Sequence, residues 1–356
     1  MARTAAVVGG GIGGLAVAIG LRRAGWAVSV FERGPSLPDT GTGLGIWPTA
    51  LAALDALDAL GVGEEARRRG RPQGSGLIRR PDGSRIAAID VDRVVRRAGE
   101  PVRLLARPDL LHLLAGALPP GLVQFGVRIT DPAPLTREFD LVVGADGIHS
   151  DVRRALCGDR FPVRYAGVVA WRGTAAMDIA TGGETWGRGA RFGLTPQGPG
   201  VTNWYATLAV TEGYRPPDGD RAGLLRRFGE WHDPIPRLLA GLRDGEILRH
   251  DVCDLTPLPG YVTDRVALLG DAAHAMTPDL GQGACQALID AAVLADCLGG
   301  GVPVPVALRA YDRCRRRRTQ RLAAVARRVG RLAQARRFTP ARDVLVRLAL
   351  AVGPPA

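Results

Sequence analysis

The chain has 356 residues, 46% of them hydrophobic, enough for one large core or two joined domains, and its composition excludes a disordered chain. No apolar run approaches the length of a membrane span. The net charge of +12 is local, because fourteen arginines face two acids between Arg309 and Arg347, whereas the remainder balances thirty-three arginines with thirty-three acids. Lysine is absent, which excludes Schiff-base catalysis and any mechanism that needs an active-site ammonium. The five cysteines, Cys157, Cys253, Cys285, Cys297 and Cys314, show no C-x-x-C pair or metal-ligand spacing and are expected to be reduced and mostly buried. A first strand entered by about Thr4 leaves no room for a signal peptide, so a cytoplasmic protein is expected.

From Thr4 an apolar run through Val7 and Val8 stops at Gly9-Gly10-Gly11-Ile12-Gly13-Gly14, and Leu15 to Ala24 follows with helical spacing. A β-rich run, Ala27 to Phe31, then ends in Glu32. The order strand, glycine turn, helix, strand and acid is that of a βαβ dinucleotide site carrying Gly9-x-Gly11-x-x-Gly14. Gly9 turns the chain out of the strand, Gly11 lets the backbone approach a pyrophosphate, and Gly14 lets the helix pack on the sheet. Gly13 and Arg33 complete this candidate set. Glu32 suits the two hydroxyls of an adenosine ribose and would repel a 2′-phosphate, which favours FAD or NAD over NADP without separating the first two.

The stretch Gly41 to Pro48 is too glycine-rich for regular structure but carries Trp47. It is either a connection capped by a core tryptophan or a surface that lies flat on a ring system, with Gly45 at its centre. Helical spacing runs from Thr49 to Leu60. Gly74 to Ile89 alternates in the β manner around Pro81-Asp82-Gly83, a hairpin. Arg107-Pro108-Asp109 opens a further helix, to Leu118, with Arg107 at the strand-to-helix junction, either a cofactor contact or a surface arginine.

Phe139 to Gly144 reads as a buried strand with Asp146 just past its carboxyl end and a helix starting near Ser150, where doubly wound sheets bind ligands. Arg164 to Leu255 breaks into short aromatic-bearing runs separated by turns, an antiparallel sheet interrupted by one helix, roughly Arg221 to Trp231. Such an insertion is expected to make the substrate wall, although most of its aromatics would fill a core. Arg265 to Leu269 returns to strand and ends in Gly270-Asp271. Pro278-Asp279-Leu280-Gly281-Gln282-Gly283 then opens a long helix, Ala284 to Leu298, whose glycine-bearing first turn presents bare N–H groups and a positive dipole end. The arginine-rich segment from Val306 to Val352 fits helices with one apolar face and one broad cationic face, expected to be solvated rather than a nucleic-acid surface.

Taken in order, Gly9-x-Gly11-x-x-Gly14 with Glu32, then Gly144-Ala145-Asp146-Gly147, then Gly270-Asp271 with Pro278 and Gly281-x-Gly283 resemble the single-component FAD-dependent aromatic hydroxylases, the group of para-hydroxybenzoate, salicylate and urate hydroxylases. The resemblance runs over nearly the whole chain. It implies an α/β fold: a Rossmann-like FAD-binding domain of the glutathione-reductase type (1–72, 98–160 and 258–305), an inserted antiparallel-sheet substrate domain (73–97 and 161–257) and a C-terminal helical segment (306–356). By the same resemblance the first motif binds the ADP half of FAD, Asp146 serves FAD and a transient nicotinamide, Asp271 holds the ribityl chain, and the helix after Gly283 points at the flavin pyrimidine. Arg107 matches an arginine that contacts FAD, and the segment around Gly45 matches the one beside the isoalloxazine. Two departures stand out, Thr49 where many relatives have Asn and Ile289 where they have Glu.

The implied reaction consumes NAD(P)H and O2 and hydroxylates or epoxidises an aromatic or polycyclic small molecule through a flavin C4a-hydroperoxide, so few catalytic side chains are needed. Arg191, in the run Gly189 to Leu194, matches the segment where urate-hydroxylase-like relatives carry an arginine into the substrate pocket. An arginine there anchors a phenolate, carboxylate or carbonyl oxygen, unless a one-residue change of register turns it away to pair with a nearby acid. The alternatives are an FAD-dependent oxidase or dehydrogenase without oxygen transfer and, more remotely, a nucleic-acid-binding protein using the basic segment. A flavin halogenase is excluded, since its active-site lysine and Trp-x-Trp-x-Ile-Pro signature are missing.

Overall fold

The computed structural model describes residues 2–57 and 61–352. In chain order the elements are β1 (Thr4–Val8), α1 (Ile12–Arg23), β2 (Ala27–Glu32), β3 (Gly43–Ile46), α2 (Pro48–Leu57), α3 (Val62–Arg69), β4 (Arg71–Pro72), β5 (Gly76–Arg79), β6 (Arg85–Ile89), α4 (Val91–Ala98), β7 (Arg103–Ala106), α5 (Arg107–Gly116), β8 (Val123–Phe125), α6 (Leu135–Glu138), β9 (Leu141–Gly144) and α7 (Asp151–Cys157). They continue with β10 (Val163–Ala176), β11 (Gly183–Trp186), β12 (Ala190–Gly198), β13 (Val201–Ala209), α8 (Asp220–Phe228), α9 (Ile235–Ala240), β14 (Leu248–Leu255), β15 (Val266–Leu268), α10 (Asp271–His274), α11 (Gly283–Cys297), α12 (Val304–Ala333) and α13 (Thr339–Val352).

The first sheet is parallel, in the order β15-β9-β1-β2-β8. Its central strand β1 is buried from Ala5 to Val8, and α1 is buried from Ile12 to Leu21, as expected of a strand and helix enclosed on both faces. The second sheet, β14-β10-β13-β12-β11-β5-β6, is antiparallel except where β11 runs parallel to β5. The expected hairpin around Pro81-Asp82-Gly83 is thus β5–β6, the outer edge of this large sheet.

Local expectations were met unevenly. Gly43–Ile46, expected to be irregular, is strand β3 paired antiparallel with β7; a partner strand some sixty residues away supplies the order that glycine propensity withholds. The helix expected over Thr49 to Leu60 runs from Pro48 to Leu57, and its last three positions, 58–60, lie outside the described residues. Ser150 caps α7, its hydroxyl accepting from the Arg153 amide at 2.9 Å. Of the five cysteines only Cys285 is buried, Cys157, Cys253 and Cys297 are half-buried, and Cys314 is exposed, so the expectation that most are buried was wrong.

The basic segment also departs from expectation. Along α12, Leu308, Tyr311, Arg315 and Thr319 are buried on one stripe, so the arginine run is not one solvated face. Arg315 Nε donates to Asp290 Oδ1 at 2.6 Å and its terminal nitrogen donates to Gln286 Oε1 at 2.6 Å. Arg342 on α13 is buried too and pairs with Asp343 at 2.8 Å. The remaining exposed arginines of the segment are solvated as expected.

Candidate active site

The glycine turn between β1 and α1 has three different reasons for its glycines. Gly9 stands at φ +109°, and a Cβ there would lie 2.4 Å from the Ala145 carbonyl oxygen; at Gly14 a Cβ would lie 1.9 Å from the Gly9 carbonyl oxygen. Both are required by the backbone itself. At Gly11 a Cβ would meet nothing within 4 Å, so the missing side chain leaves space on the cleft side, where a pyrophosphate approaches. At Gly13 a Cβ would strike Leu269 at 2.5 Å and meet Ala287 at 3.3 Å, so its bareness serves the packing of α1 against Leu269 and α11.

Glu32 ends β2 with its carboxylate fixed, accepting from the Gly10 amide at 2.6 Å and the Gly34 amide at 2.7 Å. It lines a cleft of 240 Å³ together with Gly9, Gly11, Arg33, Arg107 and Asp146. Asp146 accepts from the Val152 amide at 3.1 Å through one oxygen, while the other, Oδ1, is buried without a partner. A buried carboxylate oxygen left unmet costs about 1–3 kcal/mol or more, and a donor from a bound nucleotide or its water would satisfy it. The cleft therefore fits the adenosine diphosphate half of FAD by shape at Gly11 and by chemistry at Glu32 and Asp146.

Arg107, on the wall of this cleft, lies within electrostatic reach of Asp271. Gly270 turns the chain at φ +58°, placing Asp271 at the start of α10. The Asp271 side chain keeps exposed surface, yet desolvation by the protein packed around it raises its carboxyl above the ordinary range. Asp290, with no exposure, supports the turn by accepting from the Gly270 amide at 2.9 Å and from His274 Nε2 at 2.5 Å. Arg315 completes the balance from α12. Burial alone would raise the Asp290 carboxyl, but His274, Arg315 and the Gly270 amide outweigh it and hold it low. Sequence reading missed this support; its signal was the i, i+4 spacing that puts Arg315 among Tyr311 and Thr319.

At the far end Gly281, in the left-handed region at φ +61°, turns the chain into α11, and a Cβ on Gly283 would meet nothing within 4 Å. Cys285 stitches this turn to β3, since its thiol donates to the Gly45 carbonyl at 3.3 Å and accepts from the Trp47 amide at 3.5 Å. Gly45, Trp47, Gly281 and Gly283 thus come together beside the first turn of α11, whose free amides and dipole suit a ring that becomes negative. Pro278 lies just before them.

The second sheet faces this cleft, joined to it where the Gly43 amide donates to Asn203 Oδ1 at 2.9 Å. Side chains alternate along its strands. Trp171, Phe192 and Trp204 point away from the cleft into a core completed by Phe228 and Trp231, with Phe192 stacked on Trp204 at 5.8 Å. The expected wall is therefore not lined by the sheet's aromatics. Ala170, Arg172, Arg191, Gly193, Asn203, Tyr205, Thr207 and His250 share the other face by register, a floor of polar and small residues. Burial, with Arg172 adding to it, lowers the His250 imidazole to about 4, which keeps it neutral near pH 7.

Arg191 is 4% exposed and points to this floor. It donates to Asp279 Oδ1 at 2.8 Å, lies 3.6 Å from Glu184 Oε2, and stands over the Tyr205 ring at 5.4 Å. Burial opposes its charge, but these neighbours more than offset that and raise its pKa. The Tyr205 hydroxyl donates to Glu184, so the group forms one buried cluster. Within it Arg191 Nε keeps no partner.

Comparison with known proteins agrees with this layout. The family described as NAD(P)-binding Rossmann-like domain matches residues 7–38, and the FAD binding domain family matches residues 258–326. The aurachin C monooxygenase/isomerase of Stigmatella aurantiaca is 39% identical, over 93% of this chain and 90% of that protein. An FAD-dependent urate hydroxylase of Klebsiella pneumoniae is 32% identical, over 88% of this chain and 86% of that protein. In structure, Klebsiella pneumoniae HpxO complexed with FAD and uric acid superposes with a TM-score of 0.89 at 28% identity, covering 97% of this chain and 93% of that one. Sequence relatives of this identity and span, sharing a fold that holds FAD in a solved complex, place the chain in the family of FAD-dependent aromatic hydroxylases, as an FAD-dependent NAD(P)H monooxygenase.

Proposed function

We propose that the chain hydroxylates a small aromatic or polycyclic compound held between the floor of the second sheet and the Gly45–Gly283 cradle. The observation that carries this is the Asn203–Gly43 contact, which sets a polar floor directly against the segment that would flank the flavin ring. In this reading Glu32 holds the adenosine ribose, the Gly9–Gly14 turn with Arg33 and Arg107 holds the phosphates, Asp146 and Asp271 hold the chain between them, and Pro278, Gly281 and Gly283 bound the ring. FAD held there would supply the redox chemistry by which NAD(P)H and O2 deliver one oxygen atom of O2 to the substrate and release the other as water. The protein's own residues bind, orient and exclude water. Arg191, locked by Asp279 and Glu184, presents Nε to a carbonyl or phenolate oxygen of the substrate, and neutral His250 offers a hydrogen bond without adding charge. Relatives of this chain are named as a urate hydroxylase and as an aurachin C monooxygenase/isomerase.

The test is to mix the FAD-loaded protein with urate, salicylate, 3-amino-4-hydroxybenzoate and quinolones and to follow flavin reduction by NADH and by NADPH. At least one compound accelerates reduction about tenfold or more and yields a product heavier by one oxygen drawn from O2. Hydrogen peroxide in full yield with every ring compound unchanged would instead make the protein an oxidase.

A further inference from the structure

A cavity of 210 Å³ lies between the sheet floor and the end of α12. Gly167 and Val168 of β10, Thr207 of β13, the segment Thr277 to Asp279 and Gln334 line it. Three of its lining side chains each carry a buried polar atom without a partner, namely Arg191 Nε, Thr277 Oγ1 and Gln334 Oε1. Their residues are 4%, 3% and 8% exposed. Each unmet buried group costs about 1–3 kcal/mol, and native interiors hold few of them. Three around one cavity point to a polar occupant.

The hydrogen-bonding sense of the occupant follows from the partners already taken. Gln334 Nε2 donates to Thr207 Oγ1, which leaves its Oε1 as an acceptor. Arg191 Nε is a donor, and the Thr277 hydroxyl can serve as either. Charge is already balanced inside, because Arg191 is paired with Asp279 and Glu184, and Arg327 is paired with Asp254. Arg331 stands exposed at the rim, where solvent screens it. The buried part of the cavity thus offers hydrogen bonds to a neutral molecule rather than a seat for a carboxylate. An apolar cavity of about 150 Å³ holds benzene, so this volume takes one or two rings. Pro278 lies on its wall and also at the edge of the cradle.

We propose that this cavity binds the heteroaromatic edge of the substrate, a neutral one- or two-ring lactam. Its carbonyl accepts from Arg191 Nε and the Thr277 hydroxyl, and its ring N–H donates to Gln334 Oε1. The proposal rests on the hydroxylase reading and adds Gln334 and Thr277, which no sequence motif singled out, as specificity-determining residues.

The experiment titrates the FAD-loaded protein with 2-quinolone, N-methyl-2-quinolone and salicylate, following the flavin absorbance. Wild type is expected to bind 2-quinolone about tenfold or more tightly than either other compound, the scale of one buried hydrogen bond. Gln334→Leu is expected to lose that preference while its affinity for the N-methyl compound stays the same, and Thr277→Val is expected to weaken both quinolones together. Equal affinities in wild type, which is the outcome for a cavity filled only by water, would overturn the proposal without recourse to any variant. Tighter binding of salicylate, no binding of either quinolone, or a preference that survives in Gln334→Leu would also overturn it. If FAD is bound and another aromatic compound is hydroxylated while these preferences are missing, only the lactam assignment falls; absence of FAD or of oxygen transfer marks failure of the hydroxylase reading itself.

Discussion

Without Arg315, the fully buried Asp290 would face only His274 and the Gly270 amide. Breaking a buried pair by removing one partner typically costs about 3–5 kcal/mol. Arg315→Gln is accordingly expected to lower unfolding free energy by that amount in a denaturant titration and to weaken FAD retention, since Asp290 positions the Gly270-Asp271 turn. Exchanging Arg316, Arg317 and Arg318 together for Gln is expected to change stability by less than about 1 kcal/mol, because Arg316 pairs only near the surface with Asp312. A loss as large as that of Arg315→Gln would contradict this division. Asp290 also gives the pair a pH signature. Its folded pKa is depressed, so its contribution is present above the ordinary carboxylate pKa of about 4 and is lost as pH falls through the folded value. The stability gap between wild type and Asp290→Asn should therefore narrow only on strong acidification, and a gap that is unchanged there would show that the charge does not carry it. At Arg191 the expected effect is on ligand affinity: Arg191→Met keeps FAD and weakens substrate binding by roughly 1.5–3 kcal/mol, and an unchanged dissociation constant would remove Arg191 from the site.

Two glycines of one turn separate fold from ligand at the level of the element. Gly14→Ala would force a methyl to within 1.9 Å of the Gly9 carbonyl, so the β1–α1 junction must shift and the protein is expected to unfold at a clearly lower temperature even without flavin. Gly11→Ala enters open space in an extended conformation that alanine adopts freely, φ −78° and ψ −176°. The apo-protein is expected to melt within a few degrees of wild type, while FAD content falls sharply because the methyl occupies the approach to the pyrophosphate. Equal losses of melting temperature in the two variants would deny Gly11 that role. This turn was legible because strand, glycines, helix and acid fall within about thirty consecutive residues, although the atoms that exclude a side chain at Gly9 and Gly13 come from Ala145, Leu269 and Ala287, far along the chain. Strand β3 was not, since Gly43–Ile46 owes its order to β7, and no local signal announces a partner that far along the chain. The polar floor was hidden for a related reason: Trp171 and Arg172 are neighbours in sequence but belong to opposite faces, and only the pairing with Tyr205 and Leu248 decides which one meets the cleft.

For the whole molecule, the charge surplus that dominates the composition is partly consumed inside the fold. Arg315 and Arg342 are buried with Asp290 and Asp343, and Arg327 reaches Asp254. The C-terminal helices therefore brace the Gly270-Asp271 turn and close one side of the floor, and no helix among the described residues is long and apolar enough to cross a membrane. What the sequence motifs could place was the cleft that Gly9, Gly11, Glu32, Arg107 and Asp146 line together; what they could not place was the bracing from α12, because a run of arginines looks alike whether or not one of them turns inward. The most direct check of the account is the flavin content of the purified protein and of Asp271→Ala, measured after heat release. The expected result is one non-covalent FAD per chain in wild type and loss of FAD in the variant with its secondary structure retained. Wild-type protein that neither carries FAD nor takes it up, or an Asp271→Ala variant that retains it normally, would contradict the assignment of the cleft.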